Sequence, residues 1–346
     1  MSRNHFNPGR KSGFAVSRTL VILLAAAALV LLGVILYTQR AGFHTGTMVR
    51  KPKKSYSRIA LPRRIMLYTG EKQTLKPRKL DSGKELPEIS WDTKDPSTAQ
   101  VTKGNVVSAR KAGKTTLTWR TDSGEKQNLT VFVRRKPAKK VIYLTFDDGP
   151  GARNTPRLLN LLKKYDAKAT FFLVGTEVSA HPEIVRREFR EGHTVAIHTY
   201  THNYNQIYKN TSAFFRDFDR IEKQLTEITG QKPRFNRMPG GSNNAIVSRK
   251  NAKAIQRILR KKGYVCMDWN AATNDAVGIA YSTDTMTRYG IKSINAVRTP
   301  IVLIHDSDMK TKTVPVVKKL LEHYTKKGYS FEALDMYRGP AIQFTK

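Results

Sequence analysis

Residues 141–150 read Val141-Ile142-Tyr143-Leu144-Thr145-Phe146-Asp147-Asp148-Gly149-Pro150, and the fold is decided by how this stretch is read. An apolar run of strand type ends in two adjacent carboxylates, after which Gly149-Pro150 imposes a turn. Neighbouring side chains on an extended backbone point to opposite sides. Asp147 and Asp148 are therefore expected to meet different neighbours at a strand end, where catalytic groups tend to sit. Taken alone, Asp-Gly-Pro is an ordinary turn with Asp as a helix cap. The downstream sequence decides against that.

Beyond Lys140 strand-like and helix-like segments alternate. Ala169 to Val174, Tyr264 to Met267 and Ile301 to Ile304 read as strands. Leu158, Leu159, Leu162 and Tyr165 fall on one helical face, as do Phe214, Phe218, Ile221, Leu225 and Ile228. Further helices are expected around Ile255, Ile258 and Leu259 and from Val314 to Lys327. Repeated β–α units indicate an α/β fold, barrel-like or layered, with its site at the strand ends.

After the strand-like Thr194 to Ile197 comes His198-Thr199-Tyr200-Thr201-His202. Two histidines four apart can converge on one metal, and a carboxylate from Asp147-Asp148 can complete a catalytic set with open positions. Later segments bring Arg237-Met238-Pro239-Gly240-Gly241, Trp269 through Asn274-Asp275, and Leu303-Ile304-His305-Asp306, each a charged group at or just past a strand end.

With these motifs in this order, the stretch from Lys139 to Leu334 closely resembles the polysaccharide deacetylase family, the NodB-homology or carbohydrate esterase 4 group. The resemblance implies a distorted, incomplete (β/α) barrel that removes N-acetyl groups from sugars of N-acetylglucosamine type. It implies a divalent ion, zinc by default, on Asp148, His198 and His202. Asp147 would be the general base, oriented by Arg237, and His305 the general acid, tuned by Asp275 rather than Asp268. Leu303, Pro239, Gly240 and Trp269 would line the substrate groove. Two departures touch substrate choice: Ala276 stands where the family usually has Trp, and Gly240 follows Pro239 where a bulkier residue is common.

The remainder of the 346 residues precedes this catalytic part (139–346). Residues 1–18 are basic, and Thr19 to Tyr37 gives 19 uncharged residues, long enough for a membrane-spanning helix. No small-x-small cleavage site follows, which favours an uncleaved anchor over a secretory signal. Residues 38–57 read as a linker. Over 58–135 short alternating runs, such as Leu129, Val131 and Val133, are split by turns and indicate a small all-β sandwich. The run Ile89-Ser90-Trp91-Asp92-Thr93-Lys94-Asp95 with Ala112-Gly113-Lys114-Thr115-Thr116 resembles bacterial immunoglobulin-like domains of group 2, which act as spacers or adhesive units. Lys136 to Lys140 read as a short basic hinge.

The net charge of +35 is spread along the chain, +19 over residues 1–136 and +16 over the rest. It suits anionic wall polymers or lipid surfaces, and the sequence holds no nucleic-acid module. Cys266 is the single cysteine, so no internal disulfide is expected. Together these features imply a single-pass membrane protein of Gram-positive type with its catalytic part on the wall side. Peptidoglycan N-acetylglucosamine is the expected substrate. Other surface glycans, chitin-like oligomers and, from a different class, non-catalytic wall binding are the alternatives.

Overall fold

The computed structural model describes residues 59–80, 86–137, 140–277 and 280–344. The expected anchor at 19–37, the basic segment before it and the 38–57 linker lie outside these residues. Among the described residues no helix is long and apolar enough to cross a membrane.

The first part is all β. It comprises β1 (Ile59–Ala60), β2 (Arg64–Tyr68), β3 (Lys72–Thr74), β4 (Arg78–Lys79), β5 (Ile89–Thr93), β6 (Ala99–Thr102), β7 (Val106–Ala109), β8 (Gly113–Thr121) and β9 (Lys126–Arg134). A four-stranded sheet, β2-β9-β8-β5, and a three-stranded one, β3-β7-β6, share one core. Alternation makes that core: Leu117 on β8 and Leu129 and Val131 on β9 are fully buried while their neighbours face outward. β2 runs parallel to β9, whereas β9, β8 and β5 pair antiparallel.

The second part alternates strands and helices. They are β10 (Val141–Asp147), α1 (Asn154–Lys164), β11 (Ala169–Val174), α2 (Gly175–Ala180), α3 (Pro182–Arg190), β12 (Thr194–Thr199), α4 (Tyr204–Ile207) and α5 (Thr211–Thr229). Then come β13 (Phe235–Asn236), α6 (Arg249–Lys261), β14 (Val265–Cys266), β15 (Ala271–Ala272), α7 (Thr283–Asn295), β16 (Ile301–His305), α8 (Thr313–Lys326) and β17 (Ser330–Phe331). The parallel sheet runs β14-β13-β12-β11-β10-β16-β15, with β17 beside the start of β10. Every residue of β11 and β12 is buried, as expected of parallel strands covered on both faces. Ile142, Leu144 and Phe146 pack outward into the helix layer. Tyr143, Phe172, Ala196, Phe235, Met267 and Ile301 instead meet one another inside the curve of the sheet. The sheet does not close between β14 and β15. There the C-terminal tail crosses, with Asp268 N–H donating to Ile342 O at 2.8 Å.

The β part is fastened to the second part on both sides of Lys136–Lys140. Arg64, almost wholly buried, donates to the carbonyls of Phe189 and His193 and pairs with Asp335 at 2.8 Å. Arg134 bonds Glu332 and Asp166, and Met66, Tyr68, Phe132 and Met336 form a shared apolar cluster. Asp166 and His193 lie on the loops that precede β11 and β12, at the opposite ends of the strands from Asp147, His198 and His305, while Glu332, Asp335 and Met336 follow β17.

Candidate active site

Asp147 is the last residue of β10 and His305 the last of β16. The parallel register sets them side by side, Asp147 against His305 and Thr145 against Leu303. Asp147 points inward with Tyr143 and Thr145. Asp148 leaves the strand with φ of 72°, a left-handed conformation uncommon outside glycine. Their divergence thus comes from this backbone turn, not from strand alternation as the sequence led us to expect.

Arg237, fully buried just after β13, is fixed by the carbonyls of Met267 and Asp268, at 2.9 Å each. Its Nη1 donates to Asp147 Oδ1 at 2.7 Å and to Thr145 Oγ1 at 2.8 Å. Burial raises the Asp147 pKa, while the charges of Arg237 and His305 favour the anion.

Asp275 stands against His305. Its Oδ2 accepts the His305 backbone N–H at 2.7 Å, and its Oδ1 lies 3.0 Å from Nδ1. Burial alone would lower the imidazole pKa. The hydrogen bond and charge of Asp275, with Asp147 and Asp148 behind them, hold it up at about 9. Asp268 does other work: it accepts from the backbone N–H groups of Ser242 and Phe344 at 2.9 and 2.8 Å.

Asp148 Oδ1 lies 3.5 Å from His198 Nε2 and 3.3 Å from His202 Nε2. These donors fit a metal on two counts. Asp148 Oδ1 is buried without a hydrogen-bond partner, and His198 Nδ1 sits 2.8 Å from the Arg237 carbonyl, which leaves Nε2 as a lone-pair donor facing the carboxylate. His202 also takes a positive φ, 53°.

The expected groove residues are placed less uniformly. Pro239 O accepts from Tyr208 OH at 2.7 Å, and Gly240 adopts φ of 73° against Tyr204 and Asn244. Leu303 is half-buried beside Thr145. Trp269 lies over the Arg237 guanidinium, 5.6 Å away, and edge-on to Phe344, so it backs the arginine at the open seam. A cavity of about 650 Å³ lies elsewhere, between β2 and the Asp335–Gly339 loop. Chemistry rather than size locates the site.

Residues that sequence reading passed over also contribute. Asp217 on α5 accepts from the N–H groups of Tyr200 and Thr201 and from Thr201 Oγ1, fixing the loop between the two histidines. Asp306 is fully buried, bonds Thr155 and packs against Gly149. Its place directly after His305 was the only signal available.

Residues 134–258 match the profile of the polysaccharide deacetylase family. A peptidoglycan-N-acetylglucosamine deacetylase of Bacillus cereus is 35% identical over 200 residues, 56% of this chain and 69% of that protein. A second from the same organism is 31% identical over 195 residues, covering 56% and 85%. Among solved structures, the catalytic domain of a peptidoglycan N-acetylglucosamine deacetylase from Eubacterium rectale is 33% identical with TM-score 0.56, over 61% of this chain and 96% of that one. A polysaccharide deacetylase from Bacillus cereus is 32% identical with TM-score 0.52, over 60% and 97%.

Proposed function

From the premise that the chain belongs to the polysaccharide deacetylase family, we propose that it hydrolyses N-acetyl groups of a cell-wall glycan, with peptidoglycan N-acetylglucosamine as the substrate. The observation that carries this reading is the pairing of Asp147 with His305 on adjacent strands, each clamped by its own oppositely charged partner.

Amide hydrolysis needs a base for the attacking water and an acid for the departing nitrogen. Asp147, held as an anion by Arg237, accepts the water proton as oxygen adds to the acetyl carbon. His305, held as imidazolium by Asp275, gives its proton to the sugar nitrogen as the C–N bond breaks. Acetate and a free amine leave. Asp148, His198 and His202 would hold a divalent ion, zinc by default from the mixed donors. Such an ion would polarise the acetyl carbonyl and acidify water. Pro239, Gly240 and Leu303 would border the sugar. Gly240 is required by its φ of 73° and the closeness of Tyr204 and Asn244, while Ala276 is exposed and leaves its side of the site without a bulky wall.

We also place the enzyme on the wall side of a membrane through residues 19–37, with the β part as an immunoglobulin-like spacer. The uncharged run supports the first, and the two small sheets around a common core support the second.

The test is acetate release from intact sacculi by the full-length protein with and without added zinc, with mass spectrometry of the muropeptides. Metal-dependent acetate and deacetylated glucosamine are expected. Intact N-acetyl groups at every metal concentration would leave glycan binding without catalysis as the function.

A further inference from the structure

We infer that the outer face of α6 is a docking surface for a linear polyol-phosphate polymer of the wall, separate from the catalytic site. The helix reads Arg249-Lys250-Asn251-Ala252-Lys253-Ala254-Ile255-Gln256-Arg257-Ile258-Leu259-Arg260-Lys261 and contains no acid. Ala252, Ile255 and Leu259 are buried against the body, and Arg249, Lys250, Lys253, Arg257, Arg260 and Lys261 are exposed. Arg249, Lys253, Arg257 and Arg260 or Lys261 recur at helical spacing, about 6 Å of rise per step. They form one row of positive charge.

Three features set this face apart from an ordinary solvated one. Among the described residues no carboxylate lies within ion-pairing distance of those six cations, whereas Lys318 and Glu322 pair on α8 and Arg187 and Glu191 pair at the end of α3. Like charges four apart weaken a helix, and here nothing on the helix offsets them. Arg249 and Lys250 also occupy the first turn, where the helix dipole disfavours cations, and no acid stands there. Arg260 and Lys261 suit the C-terminal end of the dipole, but the cations of the first turn are unfavourable to the helix and favourable to a bound polyanion.

Charge complementarity selects the partner. The exposed face carries only the six cations, with Ile258 half-buried beside them. It therefore offers nothing to insert into a bilayer, as interfacial helices do, and no platform on which nucleic-acid bases stack. An extended phosphodiester chain without bases matches a row of point charges and guanidinium forks. In the chain, α6 follows the loop carrying Pro239 and Gly240.

The experiment measures binding of poly(glycerol phosphate) to the full-length protein and to Arg249→Gln/Lys253→Gln/Arg257→Gln/Arg260→Gln across a salt series. A second variant, Lys72→Gln/Lys103→Gln/Lys111→Gln/Lys126→Gln, removes equal charge from exposed positions of the β part. The α6 variant is expected to bind at least about tenfold more weakly. The slope of its log affinity against log salt should fall by roughly 3, at about 0.7–0.9 for each phosphate no longer neutralised. The control is expected to change little, and turnover of short N-acetylated oligomers by either variant stays at the native level. In the native protein the polymer should protect Lys250, Lys253 and Lys261 from acetylation, a readout that needs no variant. Equal weakening by both variants, absent protection, or preferential binding to phosphatidylglycerol vesicles would overturn the assignment. None of these results bears on the deacetylase reading, which acetate release tests on its own.

Discussion

Replacing Asp275 by Asn separates the charge of this carboxylate from its shape. Asn retains an acceptor for the His305 backbone N–H, which Asp275 Oδ2 receives at 2.7 Å. It removes the negative charge that, against the effect of burial, holds the imidazole pKa at about 9. The sign follows from the role. An acid must be protonated to act, so activity persists below its pKa and falls above it, placing the alkaline limb of kcat/KM near pH 9. With that charge gone, burial is opposed only by the more distant Asp147 and Asp148, and the imidazole falls toward its ordinary value of about 6.5. At pH 8 the protonated fraction then drops from about nine-tenths to a few per cent, a loss of roughly thirtyfold, while most activity survives at pH 6. The assay is acetate release from an N-acetylated oligosaccharide across about pH 5 to 10, with metal content measured on the same samples. A uniform loss at every pH would assign Asp275 a purely structural role. An unmoved alkaline limb would remove His305 as the acid.

Asp147→Asn should retain metal and lose about 10²–10⁴ in kcat, whereas Asp148→Asn should lose metal; the opposite pattern would mean the two carboxylates exchange roles. His202→Ala should lower zinc retained after dialysis while the circular dichroism spectrum is kept, and full retention would exclude the three-donor set. Arg64→Ala should cost about 3 kcal/mol in denaturant unfolding, because Asp335, the buried His193 carbonyl and the half-buried Phe189 carbonyl lose their donor. Arg64→Lys should recover part of that loss, and an unchanged midpoint for Arg64→Ala would show that the β part is not fastened through this residue.

The elements legible in sequence were those whose burial is complete. β11 and β12 are buried throughout because both sheet faces are covered, which leaves the apolar runs Phe171 to Val174 and Val195 to Ile197, and α5 shows its period because one stripe alone is buried. β14, though only two residues long, lies in the run Tyr264 to Met267 that reads as a strand, whereas β13 and β15 have two residues each and no pattern of their own. They are strands because their neighbours already are. At the site, residue identity carried most of the information and direction carried little. Asp268 and Asp275 are both acids close in sequence, but Asp268 follows β14 and Asp275 follows β15 at the opposite edge of the sheet, so one meets Ser242 and the other His305. Asp217 lies on a helix whose polar face reads as solvent, yet it fixes the histidine loop. Arg64, Arg134, Glu332 and Asp335 likewise read as surface charges. Burial between two parts of one chain leaves no period in either sequence.

The placement of strain completes the link between fold and chemistry. Non-glycine residues at positive φ cost of order 1–3 kcal/mol and persist only where the surroundings dictate them. Asp148 at 72° and His202 at 53° both carry this cost, and both belong to the candidate donor set. His198, the third member, needs no such turn because it lies within β12, and its ring is aimed by the Arg237 carbonyl. Arg237 thus orients two functions at once: its guanidinium fixes Asp147, and its carbonyl fixes His198. Consecutive carboxylates can therefore serve different centres. One stays in the strand against the arginine, and the next is turned out of it toward the histidines.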